Sequence, residues 1–479
     1  MLLVHPVTEA VKFLPVLLVS LILGSQSGNH LWGLAAVAAL VGVAIARWLT
    51  TSYRIGPVHV QLRTGVVERK LLSIPRNRIR SVDVEAGPLH RILGLAVVRI
   101  GTGQRAEKAG RTARFELNAL DARVVPALRE ALLTRHPDPA LPDGPAEVAP
   151  PPAVEIAHWS PTWVRYAPLS MTGVLTVAAA VGLAFQYGIG ERLANADAVA
   201  AGLQWLRGLG VVVMVGVGVV ALLVIASGLA CIRYLLAFGD LRVTDDGHVL
   251  HVSHGLLRTR QTTLDRARLR GTSLREPLLL RLAGGARLDA VMTGVSTERR
   301  HSSMLLPQAP RGDALRMRHL VLGRGLDGVT LARHGGAARR RRYTRALVPL
   351  AVVAAGAAVA GAVGAPIRWP VWAGIALLAV AAAALAYDRY RGLGHATPPG
   401  RLVTRSGSLD RSTHTLDANG IVGWTVRQTY FQRRAGVATV IAATPAGIGG
   451  YQVLDLPAER AWPLVETVTP GGCDVWARR

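Results

Sequence analysis

The stretch Ile74-Pro75-Arg76-Asn77-Arg78-Ile79-Arg80-Ser81-Val82 decides the fold, because its frame occurs three times in the chain. A second copy lies 190 residues later and a third copy lies 342 residues after the first. The matched positions are Gly65, Ile74, Ile79 and Gly94, then Gly255, Leu264, Leu269 and Gly284, then Gly407, Leu416, Ile421 and Gly436. Four matches in one register indicate an internal repeat.

Each copy has short apolar patterns of period two. Val58, Val60 and Leu62 alternate, as do Val82 with Val84 and Val98 with Ile100, and glycine-containing turns separate them. This predicts a meander of short β-strands. A helical spacing follows in the first copy, with Asn118 as its predicted N-cap, and weaker counterparts lie near Ala314–Leu322 and Ala458–Val468. We expect a small curved antiparallel sheet, or β-barrel, closed by a C-terminal helix.

The composition indicates a membrane protein. Half of the 479 residues are hydrophobic, only 18% are charged, and the mean hydropathy is +0.31. Six uninterrupted apolar runs occur in three pairs, and each pair precedes one copy of the repeat. The runs are Phe13–Leu23, Leu31–Ala46, Ala167–Phe185, Leu209–Ile232, Ala346–Pro366 and Val371–Ala386. We therefore predict three transmembrane helical hairpins, with six helices in total.

Basic residues predict the orientation of these hairpins. The net charge is +25, nearly all of it from arginine, and a GC-rich genome would produce the same bias. Arginines flank the ends of the pairs, whereas the connections within the pairs carry few of them. By the positive-inside rule both termini and the three repeats are cytoplasmic, in a multi-pass membrane protein.

The chain resembles the bacterial pleckstrin-homology (PH) family once called membrane-flanked domains, specifically its YdbT-like members. The resemblance rests on Ile74-Pro-x-x-Arg78-Ile79-x-Ser-Val82, on Pro88-x-x-Arg91-x-x-Gly94, and on the hairpin before each copy. It implies a PH-like fold at the inner surface of a bacterial plasma membrane, which the protein would cross several times. The third copy has Ala418, Gly420 and Val422 where the first has Arg76, Arg78 and Arg80, which leaves a shared binding role for it open.

These features predict eight segments. They are a hairpin at 1–50, a PH-like domain at 51–136, a Pro-rich linker at 137–160, a second hairpin at 161–235, a second PH-like domain at 236–325, a basic linker at 326–345, a third hairpin at 346–390 and a third PH-like domain at 391–479.

Two arginine triplets are candidate binding residues for lipid or partner: Arg76, Arg78 and Arg80, and Arg266, Arg268 and Arg270. If extended, each triplet would project from one strand face, where guanidinium groups suit lipid phosphates. A solvated strand face and a protein contact are the alternatives. A juxtamembrane basic cluster is predicted to set topology and to meet anionic lipid; it comprises Arg339, Arg340, Arg341, Arg342 and Arg345.

We expect no catalytic residue, no metal and no cofactor, because nucleophile, phosphate-loop and metal-ligand motifs are missing. His248, His251 and His254 lack the cysteines or glutamates of a typical metal set. The sequence favours a non-enzymatic membrane-surface scaffold that binds anionic lipid headgroups and a membrane-protein partner or a second copy. The alternative is a conduit or exporter for a lipid or membrane-active peptide in envelope defence. Nucleic-acid binding is disfavoured, because the basic stretches lack interleaved aromatic residues.

Overall fold

The fold is described from a computed structural model for part of the chain. The described residues are 52–56, 58–64, 70–75, 81–101, 115–125, 127–128, 154–169, 211–293, 303–323, 328–364 and 367–471, with positions 182, 186 and 326. The first predicted hairpin, most of the run Ala167–Phe185 and residues 137–153 of the predicted linker lie outside these residues.

The chain divides into two compact units. The first comprises Met1–Trp159, Leu236–Arg268 and Gly294–Ser302, and the second comprises Ser160–Leu235, Leu269–Thr293 and Ser303–Arg479. One division lies between Arg268 and Leu269, inside the second copy of the repeat. The predicted domain boundaries remain predictions.

The first copy forms two antiparallel sheets with a shared core. Its first sheet is β1 (Ser52–Ile55), β2 (His59–Thr64) and β3 (Lys70–Pro75). Its later strands are β4 (Ser81–Ala86), β5 (Leu95–Gly101) and β6 (Phe115–Asp121), with the short helix α1 (Pro88–Ile92) between β4 and β5. Val60 and Ile74 from the first sheet pack with Val82, Val98 and Leu117 from the second. The predicted strands are confirmed.

The second sheet of the first unit contains strands from two copies, in the order β6-β5-β4-β10-β9-β8-β7. The added strands are β7 (Val154–His158), β8 (Arg242–Asp245), β9 (Val249–His254) and β10 (Thr259–Asp265). Helix α2 (Val211–Phe238) precedes β8. Strand β4 of copy one therefore pairs with β10 of copy two, in antiparallel orientation.

The second unit repeats this arrangement one copy later, in the order β13-β12-β11-β16-β15-β14. The strands of copy two are β11 (Leu269–Pro277), β12 (Gly285–Met292) and β13 (Met304–Pro310), with helices α3 (Leu278–Leu282) and α4 (Arg311–Leu322). After them come helices α5 (Gly335–Ala362) and α6 (Trp369–Arg391). The strands of copy three are β14 (Gly394–Ala396), β15 (Arg401–Ser406) and β16 (Asp410–Asp417).

The described part of the chain ends with a three-stranded sheet of β17 (Gly423–Arg427), β18 (Val437–Ala443) and β19 (Gly450–Pro457). Helix α7 (Tyr430–Arg434) lies between β17 and β18 in sequence, and α8 (Ala461–Val468) follows β19. Leu402 and Leu416 pack with Val440, Val453 and Val465 in one core. Helices α4 and α8 confirm the C-terminal helices predicted for copies two and three. The N-cap predicted at Asn118 is wrong, because Asn118 lies within β6 and the first helical residue after it is Val125.

The two junctions between copies have the same register. Val82 of β4 faces Thr263 of β10, and Thr272 of β11 faces Thr415 of β16. Thr272 lies 190 residues after Val82, and Thr415 lies 152 residues after Thr263, which are the spacings between successive copies. The repeat in sequence is therefore also a repeat in strand pairing.

The apolar runs are described only in part. Among the described residues, two helices are long and apolar enough to cross a membrane, α5 with 28 residues and α6 with 23. Helix α2 covers most of the predicted run Leu209–Ile232, and its shorter apolar part is Leu223–Phe238. The third predicted pair is thus helical, whereas the complete six-helix membrane architecture stays a prediction.

Replacing Gly271 with alanine should weaken the second junction. Gly271 has a φ of +148°, and a Cβ there would lie 1.9 Å from the carbonyl oxygen of Thr415 in β16. We expect a destabilisation of about 1–3 kcal/mol, measured as a lower melting temperature of the full chain by tryptophan fluorescence.

The matched control is Gly423→Ala, at the equivalent position of copy three. A Cβ at Gly423 would have no heavy atom within 4 Å, and β17 has no partner strand on that edge among the described residues. Equal melting temperatures for the two variants would show that the junction at Gly271 is not close-packed.

Candidate functional site

Two buried carboxylates mark the first junction. Asp83 and Glu85 of β4 have side chains only 3% and 6% exposed. Arg260 of β10 approaches Asp83 at 3.3 Å and Glu85 at 3.4 Å. Arg258 also pairs with Glu85, and Arg99 lies 2.6 Å from it. Burial alone would raise the pKa of Glu85, but these three arginines outweigh it and the pKa is lowered. The carboxylate of Glu85 therefore stays ionised, and the contacts of Asp83 and Glu85 with these arginines hold β4 to β10.

The arginine of the Pro-x-x-Arg-x-x-Gly motif also contacts the next copy. Arg91 donates to the carbonyl oxygen of Leu256 at 2.6 Å. Its counterpart Arg281 lies 3.4 Å from the carbonyl oxygen of Ser408, the residue equivalent to Leu256, and 2.9 Å from Asp388. The third counterpart, Arg433, is exposed at the end of α7. The motif glycine is explained as well, since Gly94, Gly284 and Gly436 all have a positive φ of 66–74°.

The first predicted triplet, Arg76, Arg78 and Arg80, lies outside the described residues. The extended geometry considered for the second triplet does not hold for two of its members, because Arg266–Arg268 form a 3-10 helix between β10 and β11. Asp265 directly precedes this turn and accepts the backbone N–H of Ala267 at 2.9 Å, which favours a tight turn over a strand.

The second triplet is also already engaged within the protein. Arg266 pairs with Asp245, and Arg268 lies 3.1 Å from Asp265. Arg270 lies in β11, where its Cδ is 2.7 Å from the position of a Cβ at Gly420. These contacts reduce the charge that Arg266 and Arg268 offer to a ligand. A lipid-binding or partner-binding role for the triplet stays a prediction.

The predicted juxtamembrane cluster divides into exposed and buried members along α5. Arg339, Arg340 and Arg345 are exposed, whereas the side chains of Arg341 and Arg342 are each 6% exposed. Both buried guanidinium groups approach one carboxylate, that of Asp455, at 2.7 Å and 2.9 Å. A topology role for the cluster stays a prediction, but two of its members also anchor α5 to β19.

Asp455 reaches these arginines from an irregular position in β19. Its φ is +53°, and the register of β19 against β18 shifts at this point. A β-bulge of this kind redirects a side chain. Gln432 of α7 donates to the same carboxylate at 2.9 Å. Sequence reasoning missed this site because nothing in the pattern around Asp455 distinguishes it from an ordinary strand residue.

A buried histidine pair lies near this anchor. His334, just before α5, bonds the carbonyl oxygen of Leu454 at 2.6 Å, and its Nε2 lies 3.0 Å from Nδ1 of His395 in β14. Burial lowers the pKa of His395 to about 4, with His334 and Arg460 adding to the shift. Burial also lowers the pKa of His334. Both rings are therefore neutral near pH 7.

The two histidines of β9, His251 and His254, have contacts other than a metal ion. His251 lies 3.4 Å from Asp246. His254 bonds the carbonyl oxygen of Ala237, and its ring lies 5.6 Å from the Phe238 ring in a tilted arrangement. Within the described part of the chain, no three His, Cys, Asp or Glu residues are grouped to hold a metal ion.

A sequence model of the bacterial PH domain family matches the chain three times, at residues 10–136, 198–324 and 346–468. These matches cover well over half of the chain, so the chain belongs to the bacterial PH domain family and carries three copies of its domain. Each match begins within or beside a predicted apolar pair, as the repeat indicates. Comparisons with curated proteins and with solved structures give no significant match.

Substituting Asp455 should destabilise the protein strongly. Asp455→Asn leaves two buried guanidinium groups without a carboxylate, and loss of one partner from a buried ion pair costs about 3–5 kcal/mol. We expect a large fall in melting temperature of the full chain. Asp410→Asn, at an exposed carboxylate of β16, is the control and should change little. A small effect of Asp455→Asn would mean that the arginines have other counter-charges.

The histidine pair should make the protein less stable in acid. Because the pKa of His395 is lowered from about 6.5 to about 4, its contribution is complete above pH 6.5 and is lost as the pH falls towards 4. The loss is about 3 kcal/mol for such a shift. Unfolding of the full chain between pH 7 and 4 should be less pH-dependent in His395→Gln. His158→Gln, whose ring is exposed, should keep the full dependence.

Proposed function

We propose that this protein is a non-enzymatic integral membrane scaffold. Its three PH-like domains lie on the cytoplasmic side of a bacterial plasma membrane and bind anionic lipid headgroups or a partner protein, including a second copy of the chain. Membership of the bacterial PH domain family supports a lipid-binding or protein-binding role. No catalytic residue or cofactor is assigned in this proposal.

The observation that carries the proposal is the sharing of sheets between successive copies. Strand β4 pairs with β10, and β11 pairs with β16 in the same register. Such pairing builds each sheet from parts of two successive copies, unlike domains joined only by a flexible linker. A repeated arrangement of this kind suits a scaffold better than a single-substrate enzyme.

The membrane part of the proposal is supported by α5 and α6. Their apolar side chains are largely exposed, including Val352, Val353, Leu377 and Leu378. Exposed apolar surface on two long neighbouring helices is unfavourable in water and favourable in a bilayer. Basic residues flank the end of the pair that leads into copy three, namely Arg340 and Arg345 on α5 and Arg389 and Arg391 on α6. By the positive-inside rule that end is cytoplasmic.

The orientation can be tested with two single cysteines in a chain whose native Cys231 and Cys473 are replaced by serine. Val363, which is 84% exposed, lies in the turn after α5, and Thr425 is an exposed residue of β17. Each is replaced by cysteine in a separate variant. We expect a membrane-impermeant maleimide to label Val363→Cys from outside intact spheroplasts, and Thr425→Cys only in inverted membrane vesicles.

Labelling of both cysteines from the same side would contradict the hairpin topology. Release of the chain from membranes by alkaline carbonate would contradict membrane integration. The cysteine-free chain is the control for labelling of other groups.

A further inference from the structure

The second unit contains a cavity of about 770 Å³ next to the base of α5 and α6. One wall is the sheet at the second junction, with Leu274 of β11 and Val403 of β15. The other walls come from α4, from the start of α5 and from the end of α6, where Tyr387 and Tyr390 line the space. A cavity of this size holds a small ligand or a lipid headgroup.

The cavity is strongly cationic. Six arginines line it against a single carboxylate, that of Glu276. The arginines are Arg311, Arg318, Arg333, Arg339, Arg391 and Arg405. Glu276 is already paired with Arg311 at 2.8 Å. Like charges in one concave space repel each other and concentrate anions, so the lining is short of negative charge.

Two of these arginines contact neutral groups. Arg405 lies 3.2 Å from the carbonyl oxygens of Gly392 and Arg391, and Arg391 lies over the ring of Tyr387 at 5.4 Å. Burial lowers the pKa of Arg405, and the neighbouring Arg411 lowers it further. Arg333 and Arg339 are exposed, and no described carboxylate forms a salt bridge with either of them. Carbonyl oxygens and a ring, which carry no formal charge, thus help to position the guanidinium groups of Arg405 and Arg391.

We propose that this cavity binds a phosphate-bearing anionic group. Planar guanidinium groups make bidentate contacts with phosphate oxygens, and several of them enclose one ligand here. Arg339 and Arg391 lie close to the points where the apolar parts of α5 and α6 begin and end. Basic pockets at that level of a membrane suit a lipid headgroup. The ligand is therefore either an anionic phospholipid headgroup or a soluble phosphate compound.

The test uses the full chain in neutral detergent with two probes. Pyrophosphate binding is measured by calorimetry, and cardiolipin binding is measured by native mass spectrometry from mixed micelles with phosphatidylcholine. The variant is Arg333→Gln with Arg339→Gln, because these exposed side chains are not part of a described salt bridge. The matched control is Arg340→Gln, one position further along α5, exposed and not in the cavity lining.

We expect the double variant to bind the probe about thirtyfold more weakly, since each basic residue near an anionic surface contributes about a factor of five. The control should bind within about twofold of the native chain. Cardiolipin binding with this pattern identifies a lipid headgroup as the ligand. Pyrophosphate binding with this pattern, and no retained cardiolipin, identifies a soluble phosphate compound.

The inference is overturned if neither probe binds, or if the double variant and Arg340→Gln lose affinity equally. It is also overturned if a polyglutamate peptide binds the cavity arginines while both phosphate probes do not, which would make this a protein-binding surface. The identification of the ligand as a lipid headgroup rests on the proposed membrane function. The pyrophosphate measurement does not, so the cavity can fail or succeed independently of the topology experiment.

Discussion

Antiparallel pairing between strands of neighbouring copies is the interaction on which the rest of the structure depends. At the first junction it brings Arg260 onto β4, where Asp83 and Glu85 are buried and would be unstable without a cation. At the second it brings Arg411 opposite Glu276. A lone copy would lack these partner strands and would expose the edge of its sheet. The repeat is therefore a unit of sequence, whereas the unit of stable structure combines parts of two copies.

The part of the fold that repeats in sequence was predictable, and the part that depends on pairing between copies was not. The alternation of Val82 with Val84 locates β4, and the recurring glycines locate turns that need a positive φ. The same alternation would place Asp83 on a solvated face, yet β4 is an interior strand and both its faces are buried. Asn118 failed as an N-cap for a related reason: β6 continues through it as an edge-strand partner of β5, although its local pattern also fits a helix.

The arginines of this protein have several different structural roles, and their abundance in the sequence does not distinguish these roles. Arg91 and Arg281 join copies through carbonyl oxygens, Arg341 and Arg342 anchor a helix on Asp455, and Arg333 and Arg339 line the cationic cavity. Spacing along the chain predicted a common role for Arg339 to Arg342. Helical geometry gives neighbouring residues different directions, so two of these side chains are buried and two are exposed. The candidate site was thus predictable as a basic region, but not residue by residue.

The pairing of β4 with β10 at the first junction also imposes an order of events during synthesis. Asp83 and Arg260 are separated by 177 residues. At roughly 5–20 residues per second, the ribosome needs about 10–35 s to make the chain between them. During that interval the outer edge of β4 and its two carboxylates have no β10 to pair with. Nascent copy one then has an open sheet edge, where the carboxyl side chains of Asp83 and Glu85 disfavour pairing with the wrong strand.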